Sequence, residues 1–218
     1  MTETKAGLRW LLLFAAMIRF TTTETFLEAG CDEAGRGPLA GPVVAAAVIL
    51  HRDFDLFGLN DSKKVKETDR LALEISIKKQ SMAWAVALCT PEEIDRYNIL
   101  NASILAMHRA LDQLFYKPDL ILVDGNRFKN YPFIPHQCIV KGDAKVASIA
   151  AASILAKTER DRMMKVLALE FPGYGWEHNM AYPTPEHKRS LLTLGPTPHH
   201  RNSFVIKELK EKQRKTSL

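Results

Sequence analysis

The chain has 218 residues, of which 46% are hydrophobic and 25% are charged, a composition typical of a globular protein. Its length suits one α/β domain with a sizeable core, or such a domain with a helical appendage. The formal net charge of +5 favours a polyanionic partner without requiring one.

The three cysteines, Cys31, Cys89 and Cys138, are far apart and show no C-x-x-C spacing. This argues against a zinc site built from cysteine pairs and against a disulfide framework. Each cysteine lies in an apolar, strand-like run, where a thiol serves as a small buried hydrophobe. The cysteines therefore indicate a reducing compartment.

Residues 9–20 are apolar, but this run is too short to span a bilayer, so we expect no membrane anchor. Basic residues before Leu11–Met17 follow the layout of a secretory signal, but no small-x-small cleavage site comes after them. We therefore expect residues 1–26 to form a peripheral, partly helical extension. The alternative is that translation starts at Met17.

Two adjacent carboxylates, Asp32 and Glu33, precede a turn over residues 35–42 that contains three glycines, two prolines and Arg36. Glycine and proline make such a turn stiff and leave its backbone bare. Its N–H groups can form a concavity for anions, and Arg36 adds a guanidinium that matches phosphate. Acids beside an anion site make sense if divalent metal lies between them. Because neighbouring strand residues point to opposite faces, we expect Asp32 to bridge the metals and Glu33 to bind less directly.

The polar loop Asp61-Ser62-Lys63-Lys64 has two interpretations. In the first, Asp61 and Ser62 cap the helix that follows, and the two lysines form a solvated pair. In the second, which a resemblance to the nuclease family named below implies, the lysines contact the phosphate groups of a nucleic acid. Both interpretations stay open at this point.

Helices alternate with strands in the middle of the chain. Leu71 and Ile75 predict the buried stripe of a helix over residues 67–80. After a further strand, Thr90 begins a capping box that predicts a second helix. A longer helix over residues 98–115 carries apolar residues at helical spacing, which indicates packing on a sheet.

Two more acids follow strands. Asp124 ends Leu120–Val123, an apolar run that predicts a central strand, and open α/β sheets bind ligands at such carboxyl ends. Taken alone, an aspartate there could form only an Asx-turn. Asp143 is predicted to be the N-cap of a buried helix beginning near Val146, and its second oxygen stays available to a metal. Asp161 lies about five turns along that helix, so we expect it to pair helices or face the surface.

If the four acids converge, a charge of roughly −4 occupies one small volume, which is costly without cations. Hard cations such as Mg²⁺ or Mn²⁺ prefer oxygen ligands. Two such ions roughly 4 Å apart can activate water and stabilise the leaving oxygen of a phosphodiester. The sequence has no H-E-x-x-H, P-loop or nucleophile-elbow motif, so the acids are the only developed chemistry in it.

Several segments resemble type 2 ribonuclease H, also called ribonuclease HII. They are Gly30–Pro42, Asp61–Lys64, Lys141–Arg162 and the loop that carries Tyr182. The resemblance covers about residues 29–204 and implies a ribonuclease-H-like α/β fold, with a mixed central sheet flanked by helices and a small helical C-terminal lobe. It divides the chain into an extension (1–26), a catalytic domain (27–170) and a C-terminal substrate-binding region (171–218).

The resemblance implies an endonuclease that cleaves the RNA strand of RNA–DNA hybrids and nicks 5′ of single ribonucleotides in duplex DNA. Hydrolysis would use two Mg²⁺ or Mn²⁺ ions and leave 5′-phosphate and 3′-hydroxyl ends. The implied catalytic and metal-binding residues are Asp32, Glu33, Asp124 and Asp143. The implied substrate-binding residues are Gly35, Arg36, Gly37, Ser62, Lys63, Lys64, Asn126, Lys145 and Tyr182. A cytoplasmic monomer is implied as well.

The 2′-hydroxyl distinguishes RNA from DNA, and the backbone of Gly35–Gly37 is suited to contact it. The family tyrosine that Tyr182 matches stacks against the sugar next to the ribonucleotide. The chain departs from the family at two positions: Lys66 replaces a serine or threonine helix cap, and Ala181 replaces the glycine before the tyrosine.

Two other functions stay open. One is a non-catalytic nucleic-acid-binding module whose acids are structural. The other is a metal-dependent phosphatase that acts on small phosphates. The basic end over residues 207–215 does not separate them, because it could either follow phosphate groups or form a solvated helix.

Overall fold

The computed structural model describes residues 27–51, 53–54, 65–204 and 206. The strands are β1 (Glu28–Ala34), β2 (Val43–Leu50), β3 (Ser81–Cys89), β4 (Leu120–Asp124) and β5 (His136–Ile139). The helices are α1 (Glu67–Gln80), α2 (Pro91–Tyr97), α3 (Ile99–Asp112), α4 (Ala147–Glu170), α5 (Trp176–Asn179) and α6 (Pro185–Leu194). A 3₁₀ turn over Gly142–Ala144 precedes α4. No helix in these ranges is both long and apolar enough to cross a membrane.

The five strands form one sheet in the order β3-β2-β1-β4-β5. β1 pairs antiparallel with β2, which pairs antiparallel with β3. β1 also pairs parallel with β4, which pairs parallel with β5. The sheet is therefore mixed, as predicted, and the parallel half brings the carboxyl ends of β1 and β4 to one edge.

Helices cover both faces of the sheet. On one face, Cys31 and Ala45 share a core with Met107 of α3. On the other face, Ala46 shares a core with Ile154 of α4. The near-continuous apolar strands follow from this double cover, because neither face of the central strands meets water.

The first turn of α4 lies unusually close to β1. A Cβ atom built on Gly30 would lie 2.1 Å from the carbonyl carbon of Ser148 and 2.3 Å from the nitrogen of Ile149. Only glycine permits this approach of helix backbone to strand backbone. The approach also brings Ser153 of α4 into hydrogen-bonding range of Asp32 on β1.

The buried face of α1 differs from the prediction. Leu71 and Ile75 are 43% and 69% exposed, so their assignment to the buried stripe is wrong. The buried residues are Arg70, Glu74 and Ile77. Two of these three are charged, which an apolar periodicity cannot reveal.

Ion pairs with α4 explain why α1 buries charged side chains instead of Leu71 and Ile75. Arg70 donates to Asp161 at 2.9 Å, and Lys157 donates to the other oxygen of Asp161 at 2.6 Å. Arg162 donates to Glu74 at 2.8 Å. Buried charges are tolerated when they are paired in this way. The predicted helix-pairing role of Asp161 is confirmed.

Helix starts follow the local chemistry of the sequence in two places. Thr90 caps α2 in a reciprocal capping box with Glu93, as predicted. Lys66 occupies the N-cap of α1 and makes no capping hydrogen bond through its side chain, which confirms that this helix start lacks the usual cap.

The C-terminal lobe contains a hydrogen-bonded cluster of aromatic and histidine side chains. The Trp176 indole donates to Nε2 of His187 at 3.0 Å, so the Nδ1 proton of His187 is donated to the Tyr182 carbonyl, also at 3.0 Å. Nδ1 of His200 accepts from the Thr197 amide at 2.9 Å. Both imidazoles are therefore neutral. Burial lowers the pKa of His187 and lowers that of His200 to about 4.

Replacing Gly30 by alanine should lower the free energy of unfolding by about 3 kcal/mol, because the methyl group meets the backbone of α4. Chemical denaturation measures the change. Gly125→Ala is the control, since its Cβ meets no atom within 4 Å and only its positive φ resists a side chain, at about 1 kcal/mol. Equal losses in the two variants would contradict the close approach at Gly30.

Acidification should destabilise the fold through His200. The unfolded imidazole takes up a proton below its ordinary pKa of 6.5, whereas the folded imidazole stays neutral down to a pKa of about 4. Stability is therefore lost as the pH falls below 6.5, by about 2 kcal/mol between pH 7 and pH 5 for one such group. His200→Gln removes this proton uptake, so its unfolding free energy should vary less over that range than that of the wild type. An unchanged pH slope in the variant would refute this role.

Candidate active site

Asp32 and Asp124 lie side by side at one edge of the sheet. The parallel register of β1 and β4 pairs Cys31 with Val123, the residues that directly precede the two acids. Both acids line one cavity of about 750 Å³. Its other walls include Glu33, Gly35, Arg36, Gly37, Arg70, Ser153, Lys157, Asp161, His178 and Tyr182.

Asp32 is a buried carboxylate in an electrostatically unfavourable position. Burial raises its pKa well above the ordinary value, and the charges of Glu33 and Asp124 raise it further. A hydrogen bond with Ser153 and one from the Glu33 amide, at 2.7 Å, oppose this effect. The ionised form of Asp32 would gain from a cation in the cavity.

Glu33 follows Asp32 on β1 and lines the large cavity with it. It lines a second cavity of about 230 Å³ beside α3, together with Ser103, Asp124 and Asn126. Arg36 also lines this cavity and donates to Glu33 at 3.1 Å. Glu33, Arg36 and Asp124 line both cavities, whereas Asp32 lines only the larger of the two.

Asp143 lies in the 3₁₀ turn that contacts Asp124. Oδ1 of Asp124 accepts from the Gly142 amide at 2.7 Å, which ties β4 to the 3₁₀ turn that holds Asp143. Asp143 is buried and does not line either of these two cavities. Its prediction as the N-cap of α4 is wrong, because the amide of Val146 bonds to Gly142 and the helix begins only after Val146, whose side chain makes no cap.

Among the described residues, no three histidine, cysteine, aspartate or glutamate side chains are grouped closely enough to hold a metal ion. The four predicted acids thus form no ready-made cage. The donor set still fits a hard divalent cation, because Asp32, Glu33 and Asp124 offer carboxylate oxygens and a cation would offset their repulsion. Mg²⁺ commonly keeps several waters and takes one or two carboxylates together with substrate phosphates, so a full protein cage is not required.

Two buried guanidiniums hold the glycine turn from within. Arg201 donates to the carbonyl oxygens of Gly35, Arg36, Gly41 and Pro42. Arg160 donates to the carbonyl oxygens of Ala40, Pro42 and Met180. Burial lowers the pKa of Arg201 to about 9 and that of Arg160 to about 10, so both stay charged at neutral pH.

Sequence reasoning missed both arginines. Both lie within residues 29–204, the range that the resemblance covers, but a charged residue in a sequence carries no sign that it is buried. The available signal was the number of carbonyl groups in the turn over residues 35–42, which need donors when they are buried.

Tyr182 lies beside the glycine turn. A Cβ atom on Gly37 would lie 3.4 Å from the Tyr182 ring, so the ring packs beside Gly37 and both residues line the large cavity. Ala181, which departs from the family glycine, is buried and has a φ of 63°, in the left-handed region that glycine favours. Its carbonyl accepts from the Leu39 amide at 2.8 Å, which fixes the loop to the turn in spite of this substitution.

The remaining predicted substrate residues are dispersed. Asn126 is exposed and lines the smaller cavity. Lys145 is exposed, lines neither of the two cavities, and donates to the Val140 carbonyl at 2.7 Å. Ser62, Lys63 and Lys64 lie outside the described residues.

Comparison with known proteins agrees with this geometry. Residues 29–207 match the model of the ribonuclease HII family. The ribonuclease HII of Bacteroides fragilis is 59% identical over 183 residues, which cover 84% of this chain and 91% of the relative.

Solved structures give the same result. The ribonuclease H2 of Pyrococcus horikoshii matches with a TM-score of 0.73 at 26% identity, over 86% of this chain and 99% of that chain. The RNase HII of Archaeoglobus fulgidus, solved as a complex with PCNA, matches with a TM-score of 0.69 at 26% identity, over 83% and 96%.

These matches confirm the predicted ribonuclease-H-like fold. They leave neither of the alternative functions supported, because the curated relative is a ribonuclease and the family model spans most of the chain. The chain belongs to the ribonuclease HII family and is an RNase H-type endonuclease, a hydrolase of phosphodiester bonds.

Proposed function

We propose that this enzyme is a metal-dependent endonuclease that cleaves the RNA strand of RNA–DNA hybrids and nicks duplex DNA on the 5′ side of single embedded ribonucleotides. The observation that carries the proposal is the meeting of Asp32 and Asp124 in one cavity with the glycine turn. Acidic ligands for cations and a bare backbone suited to a sugar therefore adjoin each other.

The residues that would hold the metal are Asp32, Glu33, Asp124 and Asp143. When bound, two Mg²⁺ or Mn²⁺ ions supply an activated water and a charge that stabilises the leaving oxygen, which gives 5′-phosphate and 3′-hydroxyl ends. Asp32, Glu33 and Asp124 have the stronger support, because all three acids line the same cavity. Glu33 would act from the position after Asp32 on β1, and Asp143 from the 3₁₀ turn whose Gly142 amide contacts Asp124.

Substrate selection is assigned to the groups that surround those acids. Amides of the turn over residues 35–37 would contact the 2′-hydroxyl, the group that separates RNA from DNA. Tyr182, which is 42% exposed and faces Gly37, would stack on the neighbouring sugar. Ser62, Lys63, Lys64, Asn126 and Lys145 would contact the flanking strands.

We also propose that the enzyme acts as a monomer in the cytoplasm. All three cysteines are free thiols, and Cys31 and Cys89 are buried. Burial raises the pKa of the Cys89 thiol to about 11, which keeps it protonated and unreactive at neutral pH. Such thiols are compatible with a reducing compartment.

The assay uses a 5′-labelled DNA duplex that contains one ribonucleotide, with Mg²⁺ or Mn²⁺ and with or without EDTA. We expect a single nick on the 5′ side of the ribonucleotide, and no nick in EDTA. An all-deoxy duplex of the same sequence should stay intact. Equal nicking of both duplexes, or nicking that EDTA leaves unchanged, would overturn the proposal.

Asp124→Asn should lower the nicking rate at least roughly a hundred-fold, because a neutral amide is a poor ligand for a hard cation. The variant should still fold, since its carbonyl oxygen can accept from the Gly142 amide as Asp124 does. Steady-state nicking kinetics and a thermal melt measure the two effects.

Asp119→Asn is the matched control. Asp119 precedes the same strand at its other end, is exposed, and accepts from the Leu27 amide at 2.9 Å. It should keep wild-type nicking. Full activity in Asp124→Asn would remove Asp124 from the site, whereas an equal loss in both variants would trace the effect to β4 as a whole.

A further inference from the structure

The Arg201 guanidinium is the main contact that holds the first half of the glycine turn. It is 2% exposed, and its Nη2 donates to the Gly35 carbonyl at 2.6 Å. Its Nη1 donates to the Arg36 carbonyl at 3.1 Å, and its Nε donates to the Gly41 carbonyl at 3.0 Å. One side chain from the end of the chain thus joins both ends of the turn.

These contacts fix the direction of two amide groups. In a trans peptide the C=O and the following N–H point in opposite directions, and the described residues contain no cis peptide bond. Because the Gly35 and Arg36 carbonyls point at Arg201, the Arg36 and Gly37 amides point away from it. Arg36 and Gly37 line the large cavity, so these N–H donors are directed to the substrate side.

The second guanidinium shares the far half of the turn with Arg201, since both donate to the Pro42 carbonyl. Arg160 donates to the carbonyls of Ala40 and Pro42, at 3.3 and 3.2 Å, and to that of Met180. It therefore secures the far half of the turn and connects it to the loop of Tyr182. The carbonyls of Gly35 and Arg36 are contacted by Arg201.

Arg201 is itself held rigidly. Its amide donates to the Leu39 carbonyl at 2.9 Å. The two residues after it, Asn202 and Ser203, donate their amides to Asp95 at 2.8 and 2.9 Å. The guanidinium is thus anchored to the turn on one side and to α2 on the other.

We propose that Arg201 is the positioning residue that sets selectivity for a 2′-hydroxyl, by aiming the Arg36 and Gly37 amides into the cavity. This role rests on the proposed function. Arg201 does not touch the substrate and acts through the turn.

The test measures binding in EDTA, so that cleavage does not interfere. The affinity of each protein is determined for a duplex with one ribonucleotide and for the same all-deoxy duplex. Arg201→Lys keeps the charge but loses the planar fork that reaches several carbonyls at once. We expect the preference for the ribonucleotide duplex to fall roughly tenfold or more, with less than a twofold change for the all-deoxy duplex.

Arg109→Lys is the control for stability. Arg109 also donates to a backbone carbonyl, that of Leu88 on β3, and it pairs with Glu93 of α2. Its replacement should lower the melting temperature and leave the ribonucleotide preference unchanged. Equal loss of affinity for both duplexes in Arg201→Lys would mean a structural role only and would overturn the proposal.

A measurement on the wild type covers the case in which Arg201→Lys does not fold. The backbone amide resonances of Arg36 and Gly37 should shift on addition of the ribonucleotide duplex and not of the all-deoxy duplex. Unshifted amides would overturn the role of Arg201. If the wild type shows no preference for the ribonucleotide duplex, both the proposed function and the role of Arg201 are refuted. If a folded Arg201→Lys variant keeps the wild-type preference, only the role of Arg201 is refuted.

Discussion

The parallel pairing of β1 with β4 is the constraint on which the site depends. Its register sets Cys31 beside Val123, so the next residue on each strand is an acid, and the two acids meet at one edge. A shift of one residue would turn one of them to the other face of the sheet. The close approach of α4 at Gly30 then closes this edge from one side and brings Ser153 to Asp32.

The pairing gathers negative charge, and the two buried arginines lie close behind it. Arg160 and Arg201 are held by carbonyl groups of the turn and of the Tyr182 loop. The two guanidiniums thus hold the turn that forms one wall of a cavity lined by carboxylates. Cations would offset the negative charge of the carboxylates, and a substrate phosphate would offset the positive charge of the cations. The cavity therefore fits a phosphate that binds together with cations.

Much of the fold could be predicted from local chemistry. The helix start at Thr90 and the strand that ends at Asp124 each depend on a few adjacent residues, and both predicted elements are confirmed. The buried stripe of α1 could not be found in this way, because Arg70 and Glu74 are buried by pairing with a helix some 90 positions away. Long-range ion pairs leave no trace in the periodicity of one helix.

Part of the site could likewise be predicted from the sequence. Asp32, Glu33 and Asp124 come together because strand ends share an edge, which the order of strands and acids in the sequence indicates. Asp143 is a different case: a 3₁₀ turn intervenes before α4, and this turn is set by the bonds from the Ala144 amide to Lys141 and from the Lys145 amide to Gly142 rather than by composition. Arg201 acts on residues 35–42 from more than 150 positions away, so only the folded chain reveals the contact.

The most direct measurement is an anomalous-scattering map from crystals of this enzyme with Mn²⁺ and a non-cleavable duplex that contains one ribonucleotide. We expect a manganese peak within about 2.2 Å of a carboxylate oxygen of both Asp32 and Asp124, with a substrate phosphate completing its coordination. A peak that one of these two acids does not contact, with the duplex bound elsewhere, would contradict this expectation.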